Sequence, residues 1–339
     1  MIRAPERPPF EAMMHRYVDH QRALGRKFDR EAWVLGTVAK HLRRRGAADL
    51  NAVQFEAWCH AGSAGRANVR RSAALIVHKF CRYRLRIDST VFVPDSSHFP
   101  RRVPYLAPVI FGPPEVSRML RIAERYPTPR HFPLYVPAVR IAVILLYTAG
   151  LRRGELARLT LSDVDLKAGT LLIRESKFYK SRRLPLSSSA QVALREYLRA
   201  RLAPPWDIGP NAALLGHHHG TEHFRGYSTG GMSQMVSTVL RDAAVCDAHG
   251  RRARVHDFRH SFAVQALLRW YRQGADVQAK LPQLSMYLGH ASIVSTAHYL
   301  HFIPDVARAA SRQFGRQFAH LVGGASSRPS RRTRSLARS

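Results

Sequence analysis

The chain has 339 residues, 45% of them hydrophobic, with 54 Lys and Arg against 23 Asp and Glu, for a formal net charge of +31. That length allows two domains with a core each, and that composition speaks against disorder. So large a basic excess attracts polyanions, nucleic acid first, and excludes partners that are themselves basic.

The N-terminus, MIRAPERPPF, lacks the apolar run of a signal peptide. Helical spacing of apolar residues then recurs in four segments between residues 10 and 87. The first stops at Gly25 and the second at Gly46, and two more cover about 51–60 and 67–85. The fourth turns Leu75, Val77, Phe80 and Cys81 toward a core and leaves Arg70, Arg71, Lys79 and Arg82 outward. The result is a small bundle with basic edges, either a solvated face or one that meets DNA. Residues 91–113 carry Pro94, Pro100, Pro104, Pro108 and Pro113, which break helices and central strands. This stretch reads as an extended interdomain linker whose Arg101 and Arg102 suit a strap against a phosphate backbone.

The second domain opens with PEVSRMLRIAERY, a helix with Pro in its first turn. Ile141 to Leu151 is the longest apolar stretch; it is too short to span a bilayer and belongs to a buried helix over 136–149. GELARLTLSDVDL continues as a helix and a turn. TLLIRES and RRLPLS are strand-like runs around SKFYKS, a predicted hairpin. SSAQVALREYLRARL is an amphipathic helix, and residues 216–231 are predicted to be a Gly- and His-rich loop. Three helices follow, in MSQMVSTVLRDAAV, VHDFRHSFAVQALLRWYR and LPQLSMYLG, then SIVSTAHYLHF and PDVARAASRQFGRQFAHLV. The tail from Gly323 has five Arg and no acid and is expected to be disordered. The expected fold is mainly α with a small β-sheet. It comprises an N-terminal helical bundle over 1–90, a linker over 91–113, an α+β domain over 114–322 and a basic tail over 323–339.

Cys59, Cys81 and Cys246 are far apart and form no CxxC pair, so neither a disulfide framework nor a thiolate zinc site is expected, and a reducing cytoplasm fits. The run GHHHGTEHF offers His217, His218, His219 and His223, but adjacent histidines in a Gly loop rarely converge on one ion. A DNA-facing loop, with Arg225 reaching a phosphate, is the preferred reading.

VHDFRHSF places His256, Arg259 and His260 at i, i+3 and i+4, on one side of a helix. Arg152 follows an apolar helix and a glycine, where a partly buried guanidinium needs an acid or an anion; Glu155 at i+3 is one such acid. His290 follows a Gly helix stop, and Tyr299 lies on the next helical segment. Each of these alone reads as ordinary packing. The order Arg, Lys, His-x-x-Arg, His, Tyr does not. TAGLRRGELARLTLSDVD resembles the first conserved box of the tyrosine recombinases (phage integrases, Cre-like and Xer-like enzymes). HDFRHSFA resembles their second box, with Phe258 where Leu is commoner. LGHASIVSTAHYLH resembles the third, including the nine-residue step from His290 to Tyr299. SKFYKSRRLPL resembles the hairpin that carries their catalytic lysine. The resemblance runs in order through 114–305, and the first domain fits the family's helical DNA-clasping domain in outline.

That resemblance implies a two-domain C-shaped clamp around duplex DNA and a catalytic set of Arg152, Lys177, His256, Arg259, His290 and Tyr299. Tyr299 is the expected nucleophile. Arg152 and Arg259, with His290 as a third donor, hold the non-bridging oxygens of a phosphodiester. His256 is the expected acceptor of the tyrosine proton. Lys177, with Lys180 as its rival, protonates the leaving 5′-oxygen. Glu155 orients the arginines, and His260 is assigned to helix packing. No metal, nucleotide or other cofactor is expected. The implied partners are duplex DNA with an inverted-repeat site and further copies in a homotetramer on DNA, or related recombinases in a mixed one, with residues 304–321 docking between protomers. A type IB topoisomerase, a catalytically silent DNA-binding accessory protein and an RNA-binding protein are the alternatives.

Overall fold

The computed structural model describes residues 9–62, 67–103, 106–128, 133–174, 181–203, 208–219, 223–290, 292–301, 308 and 311–312. The chain divides into two compact units, Met1–Leu106 and Ala107–Ser339. In the first, the helical periodicity resolves into α1 (Phe10–Ala23), α2 (Asp29–Arg44), α3 (Ala52–Ala61) and α4 (Ala67–Leu85). Their apolar stripes meet in a core that contains Phe10, Tyr17, Leu35, Val38, Val77, Phe80 and Cys81. Arg84 is buried beside this core and forks onto Asp49 through two bonds of 2.8 and 2.6 Å. The bidentate geometry is what lets a guanidinium sit there.

The prolines keep the described residues of 91–113 free of helix apart from one short turn, Ser96–His98, and the start of the next helix. Packing nevertheless holds the stretch. Val91 and Phe99 are buried, His78 Nδ1 lies 2.7 Å from the Pro94 carbonyl, and Arg71 donates to the Pro100 carbonyl at 3.1 Å. Val109 and Phe111 belong to the core of the second unit.

The second unit begins with α5 (Pro113–Glu124) and α6 (Tyr135–Thr148). Glu115 accepts the Gly112 N–H at 2.8 Å and so closes the start of α5. Helix α6 is the centre: Ala138, Val139, Ile141, Ala142, Leu145 and Leu146 are all buried. Next come α7 (Arg153–Ala157), β1 (Val164–Asp165), β2 (Thr170–Ile173), β3 (Arg182–Pro185), α8 (Ser188–Arg201), β4 (Gly216–His219) and β5 (His223–Gly226). Among the described residues four named helices follow: α9 (Thr229–Asp242), α10 (Asp257–Arg272), α11 (Val277–Leu288) and α12 (Val294–His301). Helices α5, α8, α9 and α10 pack on α6. Strands β1, β2 and β3 form an antiparallel sheet with Ile173 opposite Arg182. The fold is mainly α with small sheets, as its sequence pattern indicated.

One expectation is corrected. The segment read as a loop over 216–231 contains a β-hairpin, with His217 opposite Arg225, and the first residues of α9. GHHHGTEHFRG has no apolar alternation to announce strands. Contacts remote in sequence make them. A side chain at Gly216 would collide with the Arg225 backbone, so glycine permits the close pairing. The buried Arg201 of α8 donates to Ala213 O at 2.8 Å and lies 3.8 Å from the Phe224 ring centroid.

Candidate active site

Helix α11 ends on Gly289, whose φ of 65° is left-handed and favours glycine. The Gly289 N–H bonds Met286 O and the His290 N–H bonds Ser285 O, both at 3.0 Å, the pairing of a Schellman end. The carbonyls of Tyr287, Leu288 and Gly289 are left without helical partners. Each is taken by an arginine from elsewhere in the unit. Arg182 Nε donates to Tyr287 O at 2.8 Å, Arg259 Nη2 to Leu288 O, and Arg152 Nη2 to Gly289 O at 2.8 Å. The negative end of a helix thus gathers three guanidiniums that would otherwise repel one another. Arg259 also donates to Gly150 O at 2.9 Å. Gly150 has φ 58°, and a side chain there would meet the Phe262 ring at 2.7 Å, so the approach of α10 to the end of α6 requires glycine.

Glu155, on α7, is the one carboxylate hydrogen-bonded to these arginines among the described residues. It accepts the Arg152 backbone N–H at 3.0 Å and Arg152 Nη1 at 2.7 Å. Arg182 grips it with both Nη atoms, at 3.1 and 3.0 Å. Burial alone would raise its pKa, but the Arg182 hydrogen bonds and charge, with those of Arg152, outweigh burial and bring it down to about 2. Burial and the neighbouring Arg152 charge lower the pKa of Arg259, which is 2% exposed.

His290 is half-buried, with Nδ1 2.8 Å from the hydroxyl of Thr296, a fully buried residue of α12. Burial first, and then the charges of Arg259 and Arg152, lower its pKa to about 4. It is therefore a neutral imidazole at neutral pH. One turn beyond Thr296, Tyr299 is 4% exposed and packs on the α10–α11 core. Its hydroxyl lies 2.9 Å from His260 Nδ1. The His256 ring meets the His260 ring edge-on, with centroids 4.7 Å apart. His256 is exposed overall, yet desolvation where it packs and the Arg259 charge lower its pKa, while Asp257 pulls it upward.

Of the residues singled out from sequence, Arg152, Glu155, His256, Arg259, His260, His290 and Tyr299 are thus linked through α7, α10 and the α11–α12 junction. Lys177 and Lys180 lie outside the described residues. Arg225 is exposed on β5, opposite His217. In the first unit Arg101 and Arg102 are exposed. Arg70 lines a cleft of about 1110 Å³ shared with Trp33, Lys40, Arg44 and Trp58. Two participants escaped the sequence reading, Arg182 and Thr296. Arg182 stood beside Arg183 in RRLPLS with nothing local to tell them apart. Thr296 had a signal in its place one turn ahead of Tyr299.

The phage integrase family model matches residues 113–304. A Sinorhizobium fredii protein named integrase/recombinase y4rE is 33% identical over 92% of this chain and 96% of its own length. The tyrosine recombinase XerC of Chromobacterium violaceum is 34% identical over 46% of this chain and 45% of its own length. Among solved structures, the Tn1549 transposon integrase in complex with transposon right end DNA superposes with a TM-score of 0.60, at 14% identity, covering 91% of this chain and all of that one. A lambda integrase dimer bound to a core site gives 0.56 at 17% identity, over 85% of this chain and 97% of that one. The chain belongs to the phage integrase family, the tyrosine recombinases.

Proposed function

We propose that this protein is a site-specific recombinase that cleaves and rejoins duplex DNA through a 3′-phosphotyrosine at Tyr299, without metal or ATP. The observation that carries the reading is the convergence of Arg152, Arg259 and His290 on the α11–α12 junction that leads into Tyr299. The partner is duplex DNA, a reading supported by the Tn1549 integrase in complex with transposon right end DNA and the lambda integrase dimer bound to a core site. The net charge of +31 suits it.

The scissile phosphate is a poor electrophile because its oxygens are negative. A guanidinium carries five N–H donors. Arg152 and Arg259 each commit part of theirs to carbonyls or to Glu155, and the rest serve the non-bridging oxygens as charge builds on them. His290, kept neutral, adds an Nε2–H donor when Nδ1 accepts the Thr296 hydroxyl. The Tyr299 proton leaves through the histidine pair. His260 Nδ1 touches the hydroxyl, and His256, the acceptor implied by the family resemblance, stands against His260 on the solvent side. The tyrosine oxygen attacks phosphorus, and the P–O5′ bond breaks. The 5′-oxygen takes a proton from Lys177, in the segment that joins β2 to β3. The energy of the broken bond stays in the phosphotyrosine, so the reverse attack by a 5′-hydroxyl reseals the strand.

Arg70, Arg71, Arg101, Arg102 and Arg225 supply phosphate contacts in this reading, with Arg71 also holding Pro100. The domains proposed are 1–90, 91–113, 114–322 and 323–339. The assembly is a cytoplasmic homotetramer on inverted repeats, with 304–321 docking between protomers.

The test is to trap a covalent adduct. Wild-type protein, mixed with nicked duplexes drawn from the DNA flanking its gene in excess chelator, should give a denaturant-resistant complex. Tyr299→Phe should bind the same DNA and give none. An adduct in the Phe variant would move the nucleophile elsewhere. Loss of the adduct in chelator, restored by a divalent ion, would overturn the metal-free mechanism. Plasmid relaxation without joining of two sites would favour the topoisomerase reading.

A further inference from the structure

Arg182 occupies a place that the proposed reaction leaves unexplained. It begins β3, paired with Ile173 of β2, and its side chain is only 12% exposed. Three of its donors are committed inside the protein, to Tyr287 O and to both oxygens of Glu155. It is therefore positioned to act on neighbours rather than on DNA. Its neighbour Arg183 sits on the opposite face of the strand and is exposed, which fits a solvent-facing or DNA-facing role instead.

The Glu155 carboxylate has room for about four hydrogen bonds. Arg182 makes two of them, the Arg152 backbone N–H one and Arg152 Nη1 one. Because Arg182 fills the bidentate position, Arg152 holds Glu155 with a single Nη. The other Nη of Arg152 is turned to Gly289 O. The Arg152 side chain keeps 25% exposure, whereas Arg182 and Glu155 keep 12% and 2%. Removing Arg182 leaves a buried carboxylate facing one cation. A carboxylate and a guanidinium left alone favour the parallel two-bond fork. Arg152 would turn onto Glu155, lose Gly289 O, and withdraw donors from the anion.

We infer that Arg182 is a positioning residue for DNA cleavage: by occupying Glu155 it keeps Arg152 from closing on that carboxylate and leaves it aimed at the scissile phosphate. This rests on the recombinase reading above.

The experiment compares single-turnover adduct formation on a nicked duplex for wild type, Arg182→Met, Glu155→Gln and the double variant. Duplex affinity and thermal melting are measured on the same proteins. Arg182→Met should bind DNA within about twofold of wild type and cleave at least about tenfold more slowly, a smaller loss than the roughly hundredfold of removing an aimed donor outright. The double variant should cleave at least about threefold faster than Arg182→Met alone, because Glu155→Gln removes the negative charge that draws Arg152 in. Such rescue is a coupling that independent structural damage does not produce. Wild-type cleavage by Arg182→Met overturns the inference, and so does a double variant that is slower still. If Arg182→Met does not fold, Arg182→Lys takes its place. It keeps the charge, loses the fork, and should be slowed and again rescued by Glu155→Gln; a wild-type rate or no rescue overturns the inference. Failure of wild-type protein to form any adduct sinks the recombinase reading and this one with it. A normal wild-type adduct with an indifferent Arg182 sinks this one alone.

Discussion

The Tyr299 hydroxyl lies 2.9 Å from Nδ1 of His260, not against His256, one helical turn earlier on the same face. The His256 ring meets the His260 ring, which in turn meets the ring of Tyr299. Helix spacing alone put both rings on one side and could not choose between them.

The first prediction follows from that contact. His260→Asn keeps an acceptor near the Nδ1 position but cannot take a proton at neutral pH. Cleavage should fall by about a hundredfold or more near pH 7, the lower end of the range for losing a general base. It should recover as the pH rises and hydroxide takes over the task of the missing base. His256→Asn should show a smaller loss and no such recovery. Rate–pH profiles on a suicide substrate check it; the reverse pattern returns the acceptor role to His256.

Arg259→Lys should remain folded and bind duplex DNA, yet lose at least about a hundredfold in cleavage. An ammonium cannot span Gly150 O and Leu288 O while still facing a phosphate. Single-turnover rates near wild type would make Arg259 a purely structural group.

His290 carries a pH signature in stability. Its pKa is lowered from 6.5 to about 4. Below the unfolded value the unfolded chain takes a proton that the folded protein refuses, so stability present above that value is lost as pH falls toward the folded one. His256 is shifted in the same direction and adds to the loss. Urea unfolding across this window should show the midpoint dropping with pH. His290→Gln should flatten the slope. An unchanged slope in that variant would mean that His290 is not held neutral.

The assignment of Lys177 is tested by the leaving group. A 5′-alkoxide is strongly basic and needs a proton as it departs; a 5′-thiolate does not. Lys177→Ala should cleave ordinary DNA very slowly and cleave a substrate with sulfur at the bridging 5′ position at close to the wild-type rate. Lys180→Ala should show little defect on either. Rescue of Lys180→Ala instead would exchange the two lysines, and rescue of neither would give the lysine a role in DNA geometry.

Much of this protein could be read along its chain, because the signals are local. Apolar residues recur at helical spacing through α1 to α12. Gly150 and Gly289 mark turns that need a left-handed backbone. The order of Arg152, His256, Arg259, His290 and Tyr299 carries the family likeness. The hairpin of β4 and β5 was not legible, since GHHHGTEHFRG has no alternation and its strands depend on a glycine contact and on Arg201 of α8. Arg182 was not legible either. Its meaning lies in meeting Glu155, 27 residues away, and Tyr287, 105 residues away. Only the folded unit brings the leftover carbonyls of one helix end against arginines from β3, α10 and the start of α7. Like charges gather where a buried carboxylate and a helix's negative end offset their repulsion, and that balance is a property of three-dimensional neighbours, not of sequence spacing.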